Sequence, residues 1–401
     1  MSITTLRPNT GCLRLLRPSG RFLRQDARAT RFYSVCSSRS KSESTTFLPL
    51  VLSANNLLLS RGPYNSPNAI HKVRTRTIDP MLVKEEIAVP FFITEPSARK
   101  RPIGFLRPGV LEALREYQTD GQSSPWCFHY SANRNVEGPW AVSFAKWVND
   151  GGSALRSLHV KNLVLGWKNA HMFDVILNGW TDEDYPVYYP NEEEAGPFER
   201  SPVAFSIERA ALPLFSFANY GCLLTAFFTS PQTGETMLWI PQRSISKKTW
   251  PGAFDVTVGG GIGFGDTAIS TIVRECAEEA SLDPNFVRSN IRSVGILSFL
   301  NRSPSGWILP GLYHLFDLPL RNDGTPIPIV NPNDGEVERF QLISVSELRV
   351  QLLDGMFKPS SALALLEFLI RHGHLTDATD ARYAEVCLRL RSEFILPVPW
   401  H

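Results

Sequence analysis

Cysteine is scarce and scattered. The six residues Cys12, Cys36, Cys127, Cys222, Cys276 and Cys387 include no Cys-x-x-Cys and no companion histidine pair. That spacing excludes a disulfide framework and a zinc site, and it reads as single thiols in a reducing compartment. Also missing is any apolar run of the roughly 18 residues that a membrane span needs. The longest one, Phe47 to Leu59, is broken by Pro49 and Asn55-Asn56 and is expected as a core helix of a first domain. Net charge is only +2 over 401 residues, and outside the basic residues 1–40 the chain is mildly acidic. No nucleic-acid footprint remains. With 43% hydrophobic and 20% charged residues the chain is an ordinary globular one, long enough for two domains and an extra segment.

Acids are nearly absent from residues 1–44, where Asp26 and Glu43 are the exceptions. Arg14, Arg17, Arg21, Arg24, Arg28 and Arg31 follow at steps of three and four along one helical face, with Leu15, Leu16, Phe22 and Leu23 on the other. That basic amphipathic pattern predicts a transit peptide for the mitochondrial matrix. Arg31-Phe32-Tyr33-Ser34 has the form of its processing site. A cytoplasmic protein with a basic tail is the alternative.

The chemistry concentrates in Asp255 to Leu282, DVTVGGGIGFGDTAISTIVRECAEEASL: a strand, a glycine-rich loop and an acidic helix. On a helix, neighbours at i+3 and i+4 stack, so Glu275, Glu278 and Glu279 are expected to converge on one point. Like charges so close repel, and clustered hard oxygen ligands are what Mg²⁺ or Mn²⁺ takes. Ile269, Ile272, Val273, Cys276 and Ala280 fall on a separate face that can lie on a core.

From Gly260 onward the stretch resembles the Nudix box, Gx5Ex7REUxEExGU, with U an aliphatic residue. Asp266 stands where the family has Glu, and Ser281 where it has Gly. The resemblance implies a Nudix α/β/α sandwich with a mixed sheet, and strands alternating with helices from residue 201 onward agree with it. It further implies that Glu275, Glu278 and Glu279 bind the metal with a carbonyl of the glycine loop, assigned to Gly260, while Arg274 holds the acids by charge-assisted hydrogen bonds. One further acid from outside the box is expected to bind metal or take a proton. Glu336, in NDGEVERF, is chosen over Glu338. Glu279 or Glu336 would be the general base.

Upstream of the box, Arg243 and Lys247 are expected to contact phosphate, with Lys248 a weaker candidate. Trp250 and Trp307 are candidates for stacking on the substrate's rings. The expected division is 1–44 transit peptide, 45–200 a smaller α+β accessory domain, 201–373 the Nudix domain and 374–401 a helical extension, with 191–202 as linker. Within the accessory domain, 88–93 and 162–167 read as strands and 110–117 as a helix. Residues 203–215 read as a helix opening the second domain.

The segments PIGFLRPGVLEAL, LVLGWKNAHMFDV, WIPQRSISKKTWPGAFDVTVGGGI and FKPSSALALLEFLIRHG resemble a plant and fungal Nudix subgroup related to the amino-terminal part of fungal thiamine pyrophosphokinases. This implies a stand-alone hydrolase that converts thiamine diphosphate and its damaged oxo and oxy forms to monophosphates. The partner is then a small diphosphate, with neither nucleic acid nor membrane. The rivals are a Nudix pyrophosphatase of another nucleoside diphosphate derivative such as a dinucleotide, and a non-catalytic ligand-binding module. WPGAFDVTV is also similar to Nudix-type isopentenyl diphosphate isomerases, but these use a cysteine where Thr257, Val258 and Gly259 stand.

Overall fold

The computed structural model describes residues 46–59, 72–75, 85–97, 100–117, 123–131, 138–191, 202–303, 305–391 and 393–399. The basic arm at 1–44 and most of the expected linker lie outside them. Among the described residues no helix is long and apolar enough to cross a membrane.

Two cores organise the chain. The first surrounds a sheet in the order Gly104–Leu106, Val89–Phe92, Pro139–Phe144, Trp126–Tyr130. Phe91, Phe144, Phe205, Phe215 and Phe217 meet there with ring centroids 5.1–6.2 Å apart. The helix Gly152–Asn169 packs on it through Val160, Leu163, Val164 and Trp167. Residues 162–167 are therefore helix, not strand: the apolar run hides a buried set at spacings of three and four.

Residues 203–215 also differ from expectation. Val203–Glu208 is a strand paired antiparallel with Asp184–Tyr188, and only the second half is helical, a 3-10 turn at Arg209–Ala211 followed by the α turn Leu212–Phe215. The alternation of buried Phe205 and Ile207 with half-buried Ser206 fits a strand. The strand and that turn belong to the first core, so the expected boundary at residue 200 falls inside a single packed unit.

A six-stranded mixed sheet carries the second core. Its central strand, Asn219–Thr229, runs parallel to Ile308–Pro319 and antiparallel to Thr236–Arg243 and to the glycine strand Val258–Gly261. Arg292–Arg302 and Val337–Ser344 complete the two edges. Alternation along the central strand sends Cys222, Leu224 and Ala226 to one face and Leu223 to the other. The acidic helix Ala268–Ala280 covers the first face. Helices Val345–Leu353, Pro359–Arg371 and Tyr383–Leu390 cover the second. This is the expected α/β/α sandwich with a mixed sheet, preceded by a separate α+β unit.

Helix Leu48–Ala54 is not in the first core. Phe47, Leu48, Val51 and Ala54 pack in the second, where the Phe47 N–H donates to Asp380 Oδ2 at 2.8 Å and Leu300 N donates to Asn55 Oδ1 at 3.0 Å. The segment after residue 373 packs back on the same sandwich through Leu375, Val386 and Leu390 and is helical only over Tyr383–Leu390.

Candidate functional site

The acidic helix begins with a reciprocal cap. Ser270 N donates to Thr267 Oγ1 at 3.1 Å and Thr267 N donates to Ser270 Oγ at 2.9 Å. It ends at Ser281, whose φ of +52° is left-handed. Ile272, Val273, Cys276 and Ala280 are buried against the sheet as expected. Ile269 is not: it is 43% exposed, in the first turn beside the exposed glycine loop.

The three glutamates differ in exposure. Glu279 is buried, 7% exposed, and accepts a hydrogen bond from Gly259 N at 3.3 Å. Glu275 is turned inward at the glycine strand, so close that a β-carbon on Gly260 would sit 2.3 Å from its Cγ. Glu278, one helical step of about 100° before Glu279, points outward instead, its side chain 48% exposed. Its carboxylate binds Arg274 Nη1 at 2.9 Å. Arg274 also reaches Glu275 at 3.1 Å and Asp266 at 3.4 Å, so it holds three acids at once. Glu275 and Glu278 thus meet on one guanidinium nitrogen, Glu278 at the exposed side and Glu279 at the buried side of the site.

Glu275 and Glu279 are crowded by charge. Burial pushes Glu275 up to about 7, with Arg274 opposing and Glu278, Glu336 and Asp334 adding to the rise. Burial raises Glu279 well above the usual carboxylate range, and the charges of Glu275, Glu336 and Asp255 raise it further.

Glu279 opens into a cleft that it lines with Gly259, Asp255, Arg243, Glu336 and Val337. Glu336 is at the head of its strand, its carboxylate 2.5 Å from Lys247 Nζ. Glu338, the alternative, is exposed. Arg243 lines the cleft too, yet it gives Nη1 to Asp255 at 2.9 Å, Nη2 to the Thr249 carbonyl at 3.0 Å and Nε to the Trp250 carbonyl at 3.3 Å. These three acceptors anchor its guanidinium at the cleft wall. Lys248 donates to the Asn178 carbonyl, away from the acids.

Asp255 went unread in the sequence. Burial alone would raise it, but Lys358, Arg243 and the Ser361 hydroxyl outweigh that and hold it below the usual range. Its signal was a single acid inside the apolar run AFDV.

The tryptophans divide. Trp250 is half-buried in the turn that Arg243 anchors, with a φ of +52°. Trp307 is six residues from Tyr313, the partner of Gly221, which is roughly 20 Å along an extended strand. Its ring is covered by Arg107 at 4.9 Å and by the edge of Phe173 at 6.2 Å. It ties the two cores together and does not line the cleft.

Gly260 is corrected as well. It pairs with Cys222, and its carbonyl oxygen lies 2.8 Å from where a β-carbon on Gly221 would be, turned toward the neighbouring strand. What the fold asks of Gly260 is the absence of a side chain beside Glu275. Gly259 is the glycine that borders the cleft.

Among the described residues, no group of three or more carboxylate, His or Cys side chains is drawn together as a ready metal site. The donor chemistry nonetheless fits a hard cation. The charge of Glu275 adds to the rise of Glu279, and among the described residues no cation of the chain pairs with Glu279. Oxygen donors alone face the cleft, which suits Mg²⁺ or Mn²⁺.

Known proteins are similar to this chain over the same region. A profile of the NUDIX domain matches residues 224–366. An uncharacterised protein of Saccharomyces cerevisiae is 31% identical over 233 residues, 56% of this chain and 64% of its own length. Nudix hydrolase 20, chloroplastic, of Arabidopsis thaliana is 34% identical over 218 residues, 54% of each chain. The chain thus spans about half to two thirds of the length of these two relatives. A Nudix hydrolase of Deinococcus radiodurans is 30% identical over 158 residues, 39% of this chain but 78% of its own length. With so much of that bacterial protein shared, and with the glycine strand and acidic helix inside the matched region, the chain belongs to the Nudix family.

Proposed function

We propose that this protein is a metal-dependent hydrolase that cleaves the diphosphate anhydride of thiamine diphosphate and of its oxidised forms, leaving the monophosphate and inorganic phosphate. The observation that carries the hydrolase reading is the cleft where Glu279 and Glu336 meet beside Glu275, with acids in excess of the cations that face them. Water supplies the new P–O bond and the bridging oxygen leaves with one phosphate. Glu279 or Glu336 takes the proton of that water. Arg274 fixes Glu275 and Glu278, and Lys247 sets Glu336 at the rim.

Nudix hydrolases generally use a divalent metal. Glu275 and Glu279, with Glu278 or Glu336, would hold Mg²⁺ or Mn²⁺, which when bound neutralises diphosphate charge and makes a bound water more acidic.

The thiamine assignment rests on the resemblance of the segments named above to the subgroup related to fungal thiamine pyrophosphokinases. Trp250, in the turn that Arg243 anchors, is the candidate for stacking on the rings. The basic arm at 1–44 and a plant relative named as chloroplastic support import into an organelle, here the mitochondrial matrix. The domains are best divided near residue 218, with residues 46–59 and those after 373 assigned to the Nudix unit.

A substrate panel with Mg²⁺ tests the reading: thiamine diphosphate, its oxo and oxy forms, and NADH. Monophosphate release from the thiamine compounds, with the highest kcat/KM for an oxidised form, is the expected result. Preference for NADH would move the substrate to dinucleotides, and no turnover of any would end the hydrolase reading.

A further inference from the structure

The strand pair of the first core reaches the box. Phe264 N, in the glycine loop, donates to the Asp184 carbonyl at 3.0 Å. One residue on, Tyr185 lays its hydroxyl over Gly261, where a β-carbon would come within 1.8 Å of it. Glycines 260 and 261 point to opposite faces of the strand. Glu275 therefore presses on one face of the glycine strand and Tyr185 on the other. Arg209 follows the partner strand Val203–Glu208 and is hydrogen-bonded to Tyr185. Its backbone is fixed by the Glu183 carbonyl at 2.9 Å, and the buried Glu208 carboxylate caps the turn by accepting from Ala210 N at 3.1 Å.

The cations near the cleft are mostly committed to its own acids. Arg243 and Lys358 bind Asp255, Arg274 binds Glu275 and Glu278, and Lys247 binds Glu336. Arg209 differs: its ion pair is with Glu183, on its own strand pair and 49% exposed, at 3.2 Å. Its side chain is 39% exposed and within electrostatic range of Glu336.

We propose that Arg209, oriented by Tyr185, is the anion-binding residue of the cleft, and that the first domain thereby supplies the group that grips a phosphate of the incoming diphosphate. This rests on the hydrolase reading for its substrate class but concerns binding alone. The guanidinium fork suits two phosphate oxygens, and Glu183 holds it until an anion displaces that exposed partner.

Calorimetric titration of the full chain with methylenediphosphonate, which cannot be hydrolysed, in the presence of Mg²⁺ tests this independently of turnover. Arg209→Gln should weaken binding about tenfold or more, the size of a lost hydrogen bond to a charged group. Arg209→Lys should recover part of the loss. Glu183→Gln, which removes the internal competitor and keeps Arg209, should tighten binding. Equal Kd values for the parent and a folded Arg209→Gln overturn the proposal. If Arg209→Gln does not fold, Glu183→Gln decides alone, and unchanged or weaker binding there also overturns it. Failure of the hydrolase reading would be seen separately, as diphosphonate binding that depends on Arg209 in a protein that turns over no diphosphate.

Discussion

Two groups of buried acids sit on the same sandwich, and the chain treats them in opposite ways. Asp317 is met by Arg371 through two hydrogen bonds of 2.8 and 3.0 Å and by His372 at 2.9 Å. Glu367, beside it, takes Arg371 and Arg391 at 2.6 Å each. Burial would raise Asp317, but these donors win and hold it below the usual carboxylate range. In the cleft, Glu275 and Glu279 are raised, because burial there is compounded by neighbouring acids. Asp255 shows that the cleft could have been balanced, since it lies there with Arg243 and Lys358 and is lowered. The unbalanced pair is therefore a local arrangement of those two positions and not a property of buried acids in this fold. Such arrangements cost stability and recur at functional sites.

The sharpest way to break this comparison is the isosteric change at both places. Asp317→Asn leaves Arg371 without its anion and should destabilise the protein by about 3 kcal/mol, as breaking a buried ion pair does. Because its folded value is depressed, the contribution of Asp317 is present above the unfolded pKa of about 3.9 and is lost as pH falls through the lower folded value. Chemical denaturation should then show the gap between parent and variant closing below about pH 4. Glu279→Gln should act with the opposite sign, raising stability at pH 8 by on the order of 1 kcal/mol, as relief of a strained functional group does. Destabilisation by both would erase the distinction.

A smaller effect is expected where the box departs from its family pattern. Ser281 closes the acidic helix at φ +52°, a conformation that costs a residue with a β-carbon roughly 1 kcal/mol and glycine nothing. Ser281→Gly should raise Tm by a few degrees without altering turnover, measured by thermal unfolding and the substrate assay together.

How much of this was legible follows from what is local. The box gave Glu275, Glu279 and Arg274 because helical spacing and a glycine run are short-range signals, and the sandwich followed from alternating periods. The half-exposed position of Glu278 was not legible, because a step of about 100° is small on a helical wheel and large at a cleft wall. Tyr185 and Arg209 could not be read, since they reach the glycine strand only through a strand pairing across residues that look like linker and helix. Trp307 failed for a related reason: Arg107 and Phe173, which cover it, come from the first domain. Helix Leu48–Ala54 was read as helix but assigned to the wrong core, because amphipathicity does not say which apolar face it will meet.

The comparison between the two groups of acids reduces to whether an outside cation completes the cleft. Calorimetric titration of Mg²⁺ into the parent, Glu279→Gln and Asp317→Asn tests this most directly. Binding by the parent, loss of about tenfold or more in Glu279→Gln, and parent-like binding in folded Asp317→Asn is the predicted result. Equal Mg²⁺ affinity in the parent and Glu279→Gln, or no binding by the parent, would contradict it.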